Sequence, residues 1–200
     1  MAVSRLFHLS HTSNNKRIWD TRPAVVVVSD ACPVGGGAFC TSDWLYRAWH
    51  LDDPSIQDAH INVKELAIVE HAARRWCEHW RNQRVLVFTD NSATLGALNN
   101  DTSASRAMLP VIRRLSYLAQ QFNFSLQAVY IPGHLNVVAD SISRLHMPGY
   151  FLRFIWSLQM CGVCSVYSYI LQNHMSPEAA MFLSPQARAW NAWHRSWTRK

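Results

Sequence analysis

Val25-Val26-Val27-Val28-Ser29-Asp30 is an unbroken β-branched run that ends on an acid, and Pro33 and Gly35-Gly36-Gly37 follow it. The valines read as a buried strand, and the Pro and Gly residues after it as a turn. A second run has the same shape: Val85-Leu86-Val87-Phe88-Thr89 leads into Asp90. Glu65 lies on a helix-like stretch between the two, and Asp140 opens another after a third run, Leu126 to Ile131. Acids at the ends of buried strands are costly to bring together unless something offsets their charge. That cost makes the pattern informative.

Working outward, Ala38–Thr41 and Trp44–His50 are strand-like and complete an antiparallel meander of three strands. Asn62-Val63-Lys64-Glu65 fits a capping box, and Val69, Ala73, Trp76 and Trp80 continue at helical spacing. A strand over Arg84–Asp90, a short helix over Ser92–Leu98, and a loop at Asn99-Asn100-Asp101 come next. A long helix over Ser103–Asn123, a strand over Phe124–Ile131 and a closing helix over Asn136–Leu145 complete the series. The order βββ-α-β-α-α-β-α implies parallel pairing beside antiparallel hairpins. The expected fold is α/β, a mixed five-stranded sheet with helices on both faces.

The chain has 200 residues, 49% hydrophobic and 16% charged, which suits one folded domain with flanking segments. The expected division is 1–22, a basic leader or severed upstream connection; 23–146, the domain; and 147–200, an apolar then Trp- and Arg-rich tail. Net charge is +6, which suggests an acidic partner such as nucleic acid. Residues 1–22 carry +3 (Arg5, Lys16, Arg17 and Arg22 against Asp20) and 146–200 carry +4 (Arg153, Arg188, Arg195, Arg199 and Lys200 against Glu178). The middle is left at −1, so phosphate tracking falls to local clusters or to the ends. Five scattered cysteines and no secretory pattern over Met1–Ser10 point to a reducing, intracellular setting, cytoplasmic or nuclear.

Each acid has an ordinary explanation. Asp30 and Asp90 could cap turns or helices, Glu65 could complete the capping box, and Asp140 could sit on a helix dipole. One explanation covers all four: Asp30, Glu65, Asp90 and Asp140 as ligands of two magnesium ions, with manganese able to substitute. Hard divalent cations prefer carboxylate oxygen, and a pair about 4 Å apart can clamp an in-line phosphodiester displacement. Asp30 would bridge, Glu65 and Asp90 would complete one position, and Asp140 the other. No small-molecule cofactor is expected.

At these residues the chain resembles the type 1 ribonuclease H domain of retroelement reverse transcriptases. The segments are VVVVSDACPVGGGAF, INVKELAIVEHAARRW, VLVFTDNSATLGAL and YIPGHLNVVADSISRL. The last resembles the DIRS-type and gypsy-type retrotransposon branch, and together they span residues 24–146. The resemblance implies cleavage of the RNA strand of RNA–DNA hybrids and places Asp30, Glu65, Asp90 and Asp140 on the family's metal-binding acids. It implies a polymerase domain of the same polyprotein as partner. His134 falls where many relatives carry a mobile histidine that aids product release. The early Glu65 separates the pattern from integrases, whose glutamate comes last. The competing reading is a catalytically weak or inactive binding or structural module from a decayed or truncated element.

A hybrid's minor groove exposes 2′-hydroxyls, and Gly36 could let backbone approach them closely. Asn91 and Ser92, at a helix start beside Asp90, could hold a phosphate; capping explains them equally well. Arg74, Arg75, Arg81 and Arg84 form the strongest basic cluster of the domain. Tyr150–Leu171 is apolar, yet Arg153, Gln159 and its serines favour a packing or interaction helix over a membrane span. Cys161-Gly162-Val163-Cys164 reads as two buried thiols. Trp190, Trp193 and Trp197 among arginines could stack on single-stranded nucleic acid or belong to an interface.

Overall fold

The structure is a computed structural model that describes residues 24–41 and 43–161. The basic leader, the Cys161–Cys164 pair as a unit, the apolar stretch beyond Cys161 and the Trp-rich tail lie outside the described residues. Five strands form one sheet in the order β3-β2-β1-β4-β5. β1 (Ala24–Ala31), β2 (Gly35–Cys40) and β3 (Asp43–Ala48) pair antiparallel, while β1, β4 (Arg84–Thr89) and β5 (Ser125–Tyr130) pair parallel. Helices follow as α1 (Trp49–Asp52, a single turn), α2 (Ile61–Trp76), α3 (Ser92–Asn100), α4 (Leu109–Phe122), α5 (Val137–Ser143) and α6 (Tyr150–Cys161).

Both faces of the sheet are buried, which is why its central strands read as continuous apolar runs rather than alternating ones. Val27, Val85 and Val87 face the larger core, filled by Leu66, Val69 and Ala73 of α2 and Ile112 and Leu115 of α4. Val28, Phe39 and Phe88 face the other way, onto Ala139 and Ile142 of α5 and Phe154 of α6. Asp30 shares the parity of Val28 and so points to the α5 side.

Several boundaries differ from expectation, each for a local reason. The three glycines lie inside β2, not in a turn: Gly36 pairs with Ala31 and Gly37 with Asp30 across the ladder. The turn is the preceding Cys32–Val34, closed by Cys32 N–H to Gly35 O. β3 stops at Ala48 because Trp49 turns inward, its Nε1 donating to Cys32 O at 3.0 Å. α2 is capped by His60, whose Nδ1 accepts from Asn62 N–H, so Asn62 is helical and there is no capping box. α4 begins only at Leu109, because Pro110 lacks the N–H that a helix interior needs.

α5 crosses β2 at very short range. A Cβ on Gly37 would stand 2.5 Å from Ser143 N and 2.7 Å from Ile142 Cβ, so only glycine fits there. Among the described residues no helix is long and apolar enough to cross a membrane.

Candidate active site

Three strand and helix ends converge beside the β1–β2 turn. β1 brings Asp30, the second turn of α2 brings Glu65, and the end of β4 brings Asp90. One carboxylate oxygen of each lies within 4.8 Å of the others. Parallel pairing of β1 with β4 sets the two aspartates side by side at the same sheet edge, where α/β sheets present functional groups.

Neighbouring side chains hold these acids in place. Ser143, fully buried at the end of α5, donates from Oγ to Asp30 Oδ2 at 2.5 Å. Lys64 donates from Nζ to Pro33 O at 2.7 Å and Gln57 O at 2.6 Å. It thereby ties the β1–β2 turn to the start of α2, next to Glu65. Asn136 donates from Nδ2 to Ser29 O at 2.9 Å and fixes the entry of α5 against β1. Gly133 leaves room for Asp90, whose Oδ2 a Cβ would approach to 2.7 Å.

The electrostatics are those of a site short of positive charge. Burial is the main reason that Asp30 is pushed up to about 7; the charges of Asp90 and Asp140 add to the rise, and Ser143 opposes it. Burial, then the charge of Asp30, pushes Glu65 up to about 9 despite a hydrogen bond from the Ala31 backbone. Burial also raises Asp90, with Asp140 contributing. Among the described residues Glu65 Oε2 is buried with no hydrogen-bond partner. A carboxylate oxygen left bare inside a group of three acids is the situation a hard divalent cation relieves, so these residues fit such an ion.

The fourth acid is placed differently. Asp140 lies near enough to raise Asp30 and Asp90, yet it is outside the group of three. Arg144 Nε holds its Oδ1 at 2.6 Å, and an Nη of Arg153 holds its Oδ2 at 2.9 Å.

A search of protein-family models and of curated proteins gives no match to the chain. Solved structures do match. The N-terminal RNase H domain of a Mycobacterium tuberculosis protein, solved as a fusion with maltose-binding protein, has a TM-score of 0.51 at 16% identity. The match covers 65% of this chain and 97% of that one. The fold is that of ribonuclease H. RNase H1 from the halophilic archaeon Halobacterium salinarum also matches, with a TM-score of 0.47 at 12% identity, over 60% of this chain and 93% of that one.

On this ribonuclease H fold the remaining expected residues take clear places. Asn91 caps α3, accepting from Thr94 N–H at 2.9 Å, while its Nδ2 donates to Asn62 Oδ1 at 2.9 Å. Ser92 is exposed at the first position of α3, and His134 is exposed in a short 3-10 turn next to Gly133. Gly36 is buried, and the Trp49 ring, 2.5 Å from where its Cβ would be, accounts for the missing side chain. The basic cluster is largely spent on acids: Arg74 pairs with Glu70, Arg75 with Asp43 at 2.9 Å and Arg81 with Glu78 at 2.9 Å. Sequence reasoning assigned no site role to Ser143, Arg144, Arg153 or Lys64, although Ser143 and Arg144 lie at the end of the segment YIPGHLNVVADSISRL. Ser143 and Arg144 stand three and four residues after Asp140, a helical spacing that was there to be read.

Proposed function

We propose that this chain is a magnesium-dependent ribonuclease H that hydrolyses the RNA strand of RNA–DNA hybrids, as part of a retroelement reverse transcriptase. One observation carries the reading: Asp30, Glu65 and Asp90 bring carboxylate oxygens within 4.8 Å of one another. The ribonuclease H fold supports the nuclease class. The four sequence segments quoted above support the retroelement origin and the hybrid substrate.

Asp30, Glu65 and Asp90 would hold the ion, and magnesium, once bound, would supply Lewis acidity to the scissile phosphate. Ser143 fixes the rotation of the Asp30 carboxylate through its hydrogen bond to Oδ2. Lys64 and Asn136 fix the backbone on either side of Asp30, which limits the motion of the strand end. Ser92, exposed beside Asp90, would meet a phosphate of the bound strand, and His134 is exposed on the turn after Gly133. Hydrolysis would leave a 3′-hydroxyl and a 5′-phosphate.

The deciding experiment offers a labelled RNA–DNA hybrid with magnesium, beside double-stranded DNA and double-stranded RNA. Loss of the RNA strand of the hybrid alone is expected, and Asp90→Asn should abolish it while the protein stays folded. Hybrid cleavage that survives Asp90→Asn would overturn the assignment.

A further inference from the structure

Both oxygens of Asp140 already carry an arginine, so a cation bound there would meet positive charge at short range. Arg144 is the intrahelical partner, four residues on along α5. Arg153 is not part of α5. It comes from α6, which docks through Phe154, 1% exposed in the second core and 5.4 Å from the Trp44 ring. That anchor places the adjacent guanidinium against Asp140 Oδ2 at 2.9 Å and over the Tyr150 ring at 5.3 Å.

We propose that Arg153 is a positioning residue that sets how readily a second divalent cation binds beside the three clustered acids, by competing with that cation for Asp140. The proposal rests on the metal-dependent reading above and concerns only the fourth acid. Two positive charges on one carboxylate repel at close range, so the guanidinium in place weakens the hold of Asp140 on a cation. Arg153 is the arginine able to leave. Its side chain is 43% exposed, and the Tyr150 ring offers a resting place without Asp140. A partly exposed ion pair is worth up to about 1 kcal/mol, which converts to at most about fivefold in cation affinity. α6 thereby reaches the metal site without donating a ligand to it.

The test titrates Mn2+ into the full-length protein by calorimetry and follows the two binding steps separately. Arg153→Ala is expected to tighten the second step about three- to fivefold and to leave the first unchanged. Arg153→Lys keeps the charge but not the fork, so its second step should lie between the two. Thermal melting of both variants checks that α6 remains docked through Phe154. Second-step affinity in Arg153→Ala within twofold of the unaltered protein would overturn the proposal. Two-step uptake that Asp140→Asn leaves unchanged would overturn it as well. Absence of any Mn2+ uptake would overturn the metal-dependent reading itself, and the proposal with it.

Discussion

In the proposed site, the orientation of one carboxylate is fixed by a single hydroxyl. Asp30 is 7% exposed and shares a hydrogen bond of 2.5 Å with Ser143, itself fully buried. Removing the hydroxyl leaves Asp30 Oδ2 without that donor, in a place where no water readily replaces it. Ser143→Ala should cost about 1–3 kcal/mol of stability in the metal-free protein, measured by chemical denaturation. It should also weaken the binding of magnesium, because the carboxylate is then free to rotate. Equal magnesium affinity in the variant would assign Ser143 a packing role alone. Asp30 could be picked out from sequence because it ends an apolar run, an unusual place for a charge. Its serine partner lies 113 positions further on, and no local pattern relates the two.

At the scale of elements, the strands were legible because two buried faces demand continuous apolar runs, as in Val25–Val28 and Val85–Phe88. The glycine triplet misled because glycine marks turns far more often than it marks a strand crossed closely by a helix. Only the packing of α5 reveals why Gly37 has no side chain. Likewise, the cap of α2 falls on His60, a poor intrinsic cap, because Asn62 is already engaged with Asn91 across the site. The four acids could be read in order along the chain. That Arg153 also pairs with Asp140 could not, since Arg153 belongs to an element outside the repeating α/β pattern. Gly37→Ala tests the α5–β2 contact. Its methyl would meet backbone at 2.5 Å, so α5 must shift, taking Ser143 and Asp140 with it. A loss of about 1–3 kcal/mol is expected by denaturation, with impaired magnesium binding alongside. Unchanged stability would mean that α5 is less tightly seated than the geometry implies.

For the molecule as a whole, the buried acids couple folding to pH and to metal. Asp30 and Glu65 bind protons far more tightly folded, at about 7 and about 9, than in an unfolded chain, where ordinary carboxyl values near 4 apply. Between those limits the folded state holds more protons than the unfolded state, so stability falls as pH rises. The contribution is present in full below about pH 4, declines from there, and is lost by about pH 9. The groups facing this pair sharpen the effect, since Asp90 and Asp140 add negative charge while Arg144 offsets part of it. The metal-free protein should therefore melt at a higher temperature near pH 5.5 than near pH 8. Magnesium should remove or reverse that difference, because it binds the ionised carboxylates of the folded state only and is most effective where they are deprotonated. The measurement is a set of thermal melts at both pH values, each with excess chelator and with millimolar magnesium. In Glu65→Gln the fall between pH 5.5 and pH 8 should shrink, because the group with the larger shift no longer titrates. A metal-free protein more stable at pH 8 than at pH 5.5 would mean that these acids are ionised and paired in the folded chain, and the cation deficit inferred for the site would not exist.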